Sequence, residues 1–195
     1  MENDLKSTEI ILGKCKGKYV GVELDKYSNI MISGDPGSYR MILVRNILNQ
    51  LVAQGIDTEI IIMNNRVDEF EKYRNLDNVT ITNDIFFSIK EKLEELIVRK
   101  YEKRTVILID FIDEILYFLQ AEGERLNQCL RLLLMLIRNN KVNIIFTKVN
   151  IDERLSRVDK KILEFIKENV QVEIDTKEVG EMSDLRINNE FIKLT

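Results

Sequence analysis

The segment Gly34-Asp35-Pro36-Gly37-Ser38 follows the short apolar run 29–33 and precedes a stretch with helical spacing. A glycine-rich turn placed between a strand and a helix can point its backbone N–H groups, together with the positive end of the helix, at a phosphate. The working pattern of such a loop is G-x-x-x-x-G-K-[ST]. Aligned from Gly34, the second glycine position holds Tyr39, the lysine position Arg40 and the hydroxyl position Met41. Tyr39 puts a Cβ and a ring where the loop would let a phosphate approach. Arg40 keeps a positive charge, but its planar fork does not act as a compact ammonium does. Met41 offers sulfur where magnesium takes oxygen. Phosphoryl transfer depends mostly on positioning and metal-assisted charge stabilisation. The three replacements therefore predict loss of efficient hydrolysis, with no catalytic set, no protein metal site and no firm cofactor. Weak binding of ATP, with or without magnesium, or of another anion stays open. Taken alone, 34–38 reads equally well as an ordinary strand-to-helix turn.

Two further strand ends belong to the same chemistry. Val106-Ile107-Leu108-Ile109-Asp110 is four apolar residues and then an acid. Such an acid helps to hold magnesium in phosphate-loop enzymes. The next position, where a catalytic carboxylate often stands, holds Phe111, which cannot orient a water. Asp113 and Glu114 follow and read as acids favouring a helix N-terminus. Asn143-Ile144-Ile145-Phe146-Thr147-Lys148 ends another strand, and Thr147 could sense a terminal phosphate or simply close the strand.

The elements that must position these residues follow from periodicity. Strands are expected at 19–24, 29–33, 58–63, 79–82, 105–110, 142–147 and 170–174, and helices at 39–54, 67–74, 85–101, 113–120, 125–139 and 152–167. Gly55 closes the first helix. The run 58–63 is continuous and rich in β-branched residues, as in a strand buried on both faces. Alternating strands and helices with short connections predict an α/β fold: a mostly parallel sheet, P-loop NTPase-like (RecA-like), with helices on both faces. The tail 184–194 alternates around Asn188-Asn189, a pair suited to the turn of a C-terminal β-hairpin. The chain reads as one domain over residues 1–195.

Composition narrows the function classes. The chain has 195 residues, 45% hydrophobic and 32% charged, with a formal net charge of −4. Lys and Arg are dispersed, so no nucleic-acid footprint is expected. There is no histidine, which excludes histidine acid–base chemistry and the common zinc sites. Two unpaired-looking cysteines, Cys15 and Cys129, fit a reducing compartment. The longest apolar run, 132–137, is too short to span a bilayer, so no direct membrane contact is expected. The dense apolar stretches 130–137 and 112–119 read as core faces, with a docking face as the other reading.

In order and spacing, these segments resemble the motor domain of the FtsK/SpoIIIE ATPase family. The resemblance is carried by Ile11-Leu12-Gly13, by 18–24, by Ser28-Asn29-Ile30-Met31-Ile32-Ser33-Gly34, by Arg138-Asn139-Asn140-Lys141-Val142 and by Phe146-Thr147-Lys148. Lys148 departs from the family's usual glutamine. Within the family, the altered loop is most similar to the terminal ATPase-like modules of the tandem-ATPase proteins of type VII secretion. The resemblance implies one module of a longer, membrane-anchored chain on the cytoplasmic side of the membrane. It implies neighbouring ATPase domains of the same chain as partners, and secreted helical-hairpin proteins as substrates to be recognised. Two other roles stay open: an active ATPase with a divergent loop, and a purely structural cap on a tandem array.

Overall fold

The computed structural model describes residues 8–15, 18–35, 39–83, 85–149, 160–176, 182–187 and 190–192. The strands are β1 Glu9–Cys15, β2 Lys18–Glu23, β3 Asn29–Gly34, β4 Asp57–Ile61, β5 Val79–Thr82, β6 Thr105–Ile109, β7 Val142–Val149, β8 Val172–Thr176, β9 Met182–Ile187 and β10 Glu190–Ile192. The helices are α1 Arg40–Ala53, α2 Val67–Phe70, α3 Ile85–Val98, α4 Ile112–Gln120, α5 Gly123–Ile137 and α6 Lys160–Glu168.

The main sheet runs β10-β9-β8-β3-β7-β6-β4-β5. From β8 to β5 every pairing is parallel, and β9 and β10 add antiparallel strands at one edge. Alternation along each parallel strand divides the core in two. Ile107, Ile109, Ile144 and Phe146 face α3, α4 and α5, while Val106, Leu108, Ile145, Ile30 and Ile32 face α1. Strands apolar at every position are what two covered faces require. The expected parallel α/β architecture and the C-terminal hairpin are both present. The hairpin pairs Glu190 with Ile187, and Asn188-Asn189 lie outside the described residues.

Several boundaries and one element differ from the sequence reading. β1 was not expected: it pairs antiparallel with β2 in a separate hairpin whose register shifts between Ile11 and Gly13. Gln50 of α1 holds that hairpin, its amide accepting the Ile11 N–H and donating to the Ile11 carbonyl, both at 2.8 Å. The helix expected at 67–74 is one short turn, α2, between 3₁₀ turns at 64–66 and 71–73. The backbone breaks at Arg66 and Phe70, each with φ −113°. The helix expected over 152–167 is described only as α6, because 150–159 lie outside the described residues. Ile42 points out of α1, 48% exposed, while Leu43 and Ile47 are buried.

Gly55 ends α1 in the left-handed conformation, φ 69°. Its N–H bonds the Val52 carbonyl and the Ile56 N–H bonds that of Leu51. Nothing lies within 4 Å of an added Cβ, so an alanine there meets strain and no clash. Gly55→Ala is expected to cost about 1 kcal/mol and Gly55→Asn clearly less, because Asn tolerates this conformation. Urea denaturation of both variants measures the difference.

Candidate phosphate-loop site

Three strand ends converge at one edge of the sheet. β3 delivers the loop and Asp110 directly follows β6, with β7 between them carrying Thr147. In register, Ile109 is level with Phe146 and Ile32 with Thr147. The topology thus brings together Gly34, Arg40, Met41, Asp110 and Thr147. Gly34 is buried at the end of β3 and Asp35 is exposed, while Pro36, Gly37 and Ser38 lie outside the described residues. Tyr39 precedes α1, with its ring half-buried against the α1-side core. Its hydroxyl accepts a long 3.4 Å hydrogen bond from Asn46.

Asp110 is fully buried, and both of its oxygens are engaged. Oδ1 accepts the Thr147 hydroxyl at 2.5 Å, and Oδ2 accepts Nε of Arg66 at 3.3 Å. Thr147 is also fully buried, and its Oγ1 accepts the Phe111 N–H at 2.9 Å. Its hydroxyl therefore ties β7 to the residues that follow β6. Phe111 is the one non-glycine residue with positive φ among the described residues, φ 56° and ψ 54°. That conformation turns its ring beneath two guanidiniums. Arg40 lies 4.3 Å and Arg66 4.2 Å from the ring centroid, both in cation–π range.

Arg66 was missed from the sequence. It sits in the 3₁₀ turn after β4, 44 residues from Asp110, with no motif around it. Its guanidinium grips Glu69 at 2.5 and 2.9 Å and touches Met41 Sδ at 3.4 Å. Arg40 is 4% exposed. Burial lowers its pKa, with the charges of Asp110, Asp113 and Glu69 acting against that and Arg66 adding to it. Burial raises the Asp110 carboxyl above the ordinary range, opposed by the Thr147 hydrogen bond and by Arg66 and Arg40. Asp113 opens α4 as expected. Burial raises it too, while the N–H groups of Val149 and of Asp113 itself oppose the rise.

The phosphate-loop arrangement implies a magnesium ion, and the residues present do not fit one. The two side chains that would approach it are a thioether and a carboxylate already holding an arginine. Among the described residues, no group of three or more His, Cys, Asp or Glu is placed to hold a metal.

No protein-family model matches the sequence, and no curated protein does. Solved structures do. Thermomonospora curvata EccC (ATPases 2 and 3), in complex with a signal sequence peptide, superposes with TM-score 0.67 at 10% identity, covering 97% of this chain and 39% of that one. The pCW3 conjugation coupling protein TcpA, in its monomer form with ATPγS, gives 0.64 at 19%, covering 88% and 55%. EssC (ATPases 2 and 3) from Geobacillus thermodenitrificans gives 0.57 at 16%, covering 87% and 33%. The chain thus spans between a third and just over half of these neighbours. At such identities the likeness is one of fold, the α/β fold shared with these EccC, EssC and TcpA domains.

Proposed function

We propose that this chain is a non-hydrolysing module of a type VII secretion motor, acting in substrate recognition or in regulation of export. The observation that carries the reading is Asp110, the acid in the metal-holding position, engaged on both oxygens by Thr147 and Arg66. Met41 in the hydroxyl position and Phe111 in place of a catalytic carboxylate agree with it. The module would sit in a longer membrane-anchored chain beside other ATPase domains, and no helix among the described residues is long and apolar enough to cross a membrane. The fold shared with EccC, whose ATPases 2 and 3 bind a signal sequence peptide, supports recognition of secreted helical-hairpin proteins. The dispersed basic residues and net charge of −4 argue against a nucleic-acid partner.

The test is steady-state ATP turnover by the purified chain with magnesium, beside the Arg40→Ala variant. The expected result is phosphate release indistinguishable between the two. Turnover that Arg40→Ala abolishes would replace this reading with that of an active ATPase, which the ATPγS bound by TcpA favours. Thermal shifts with nucleotides and with candidate secreted proteins address the third role. A ligand that binds only the native state must raise the melting temperature, so no shift with either class would leave a structural cap.

A further inference from the structure

The guanidinium of Arg66 lies between Met41 Sδ, at 3.4 Å, and Asp110 Oδ2, at 3.3 Å. In the phosphate-loop pattern these two side-chain positions, a hydroxyl and an acid, hold the metal between them. We propose that Arg66 is a built-in cation standing where a divalent ion would stand, so that the site is complete without metal. The inference rests on the non-hydrolysing reading and deepens it: the site has been filled from within.

The geometry is that of a positioned group. Glu69, three residues on, takes the two terminal nitrogens of Arg66 with contacts at 2.5 and 2.9 Å, while Asp110 takes Nε. The Phe111 ring supports the guanidinium plane at 4.2 Å. The Arg66 side chain is 19% exposed, so these contacts are largely sheltered from water. Two guanidiniums, Arg40 and Arg66, stand among three acids, Asp110, Glu69 and Asp113, so most of the local negative charge is met by the protein's own cations. A guanidinium suits this place where a metal does not, because it donates to sulfur and carboxylate together and needs no complete oxygen shell.

The test uses the whole chain, with manganese chloride as the probe. Arg66→Ala is expected to lower the melting temperature by about 5 °C. Millimolar manganese should return at least half of that loss, with electron paramagnetic resonance showing the ion bound. The wild type should show neither stabilisation nor bound manganese. Arg66→Ala combined with Asp110→Asn should lose the rescue, since Asp110 is the acid in the metal-holding position and Glu69 alone gives the ion one carboxylate. If Arg66→Ala does not fold, Arg66→Gln is titrated in its place. A folded position-66 variant that manganese neither binds nor stabilises overturns the proposal, as does wild-type manganese binding that Asp110→Asn removes. The parent reading fails separately, by Arg40-dependent ATP turnover, so a chain with no turnover and no rescue refutes the built-in cation alone.

Discussion

Asp110→Ala is expected to lower the unfolding free energy by about 3–5 kcal/mol, the usual loss when one partner of a buried ion pair is removed. The carboxylate is fully buried, so nothing replaces it. Arg66 loses one of its two carboxylates and keeps Glu69. Thr147 loses its acceptor, and that hydroxyl also holds the Phe111 N–H. Asp110→Asn keeps shape and an acceptor oxygen and should cost about half as much. Guanidinium chloride denaturation of both variants gives the comparison, and equal stability of wild type and Asp110→Ala would refute the described pairing.

The same carboxyl gives a pH signature. Burial raises its pKa in the folded state, with Thr147, Arg66 and Arg40 pulling the other way. A group raised on folding stabilises the fold fully below its unfolded value, and that contribution disappears as pH rises through the folded value. Removing Arg66 takes away one opposing charge and moves the window upward. The stability deficit of Arg66→Ala should therefore grow as pH rises from acid towards neutrality. Asp110→Asn should abolish this part of the dependence.

Glu59→Ala is expected to be comparably damaging, again by about 3–5 kcal/mol. Glu59 is 1% exposed on β4. It holds Lys92 of α3 at 2.7 Å and Arg99 at 3.0 Å. Without it, the largely buried Lys92 keeps Glu95, at 3.1 Å, among the described residues. Arg99 is more exposed and retains Glu95, so less of the cost falls there. Replacing both buried partners with apolar residues, Glu59→Leu with Lys92→Met, should recover most of the loss, since what is costly is a buried charge without its partner. Urea denaturation of the single and double variants decides it, and a double variant as unstable as Glu59→Ala would show that the network contributes more than charge balance.

What could be read in advance depended on whether the cause was local. Continuous apolar strands announce a sheet covered on both faces, and 58–63 and 105–110 did so. Within the first, however, Glu59 was a signal passed over: an acid inside a buried run requires a buried cation. β1 escaped notice because its glycine-containing segment shifts register against β2 and lacks clean alternation. At the site, Asp110 and Thr147 could be named because each closes an apolar run in the sequence, but their mutual bond follows from β7 lying next to β6. Arg66 had no sequence signal, because its role arises from a turn that the fold carries across to Asp110.

The placement of Arg66 against both Met41 and Asp110 has a consequence for anyone hoping to install catalysis here. Met41→Thr supplies an oxygen yet leaves the arginine in the way. Arg66→Ala clears the space yet offers an incoming ion a thioether on one side. Either first step gives up existing contacts, and an ion entering after Arg66→Ala alone makes up only part of that loss, so oxygen ligands on both sides come only with the two substitutions together.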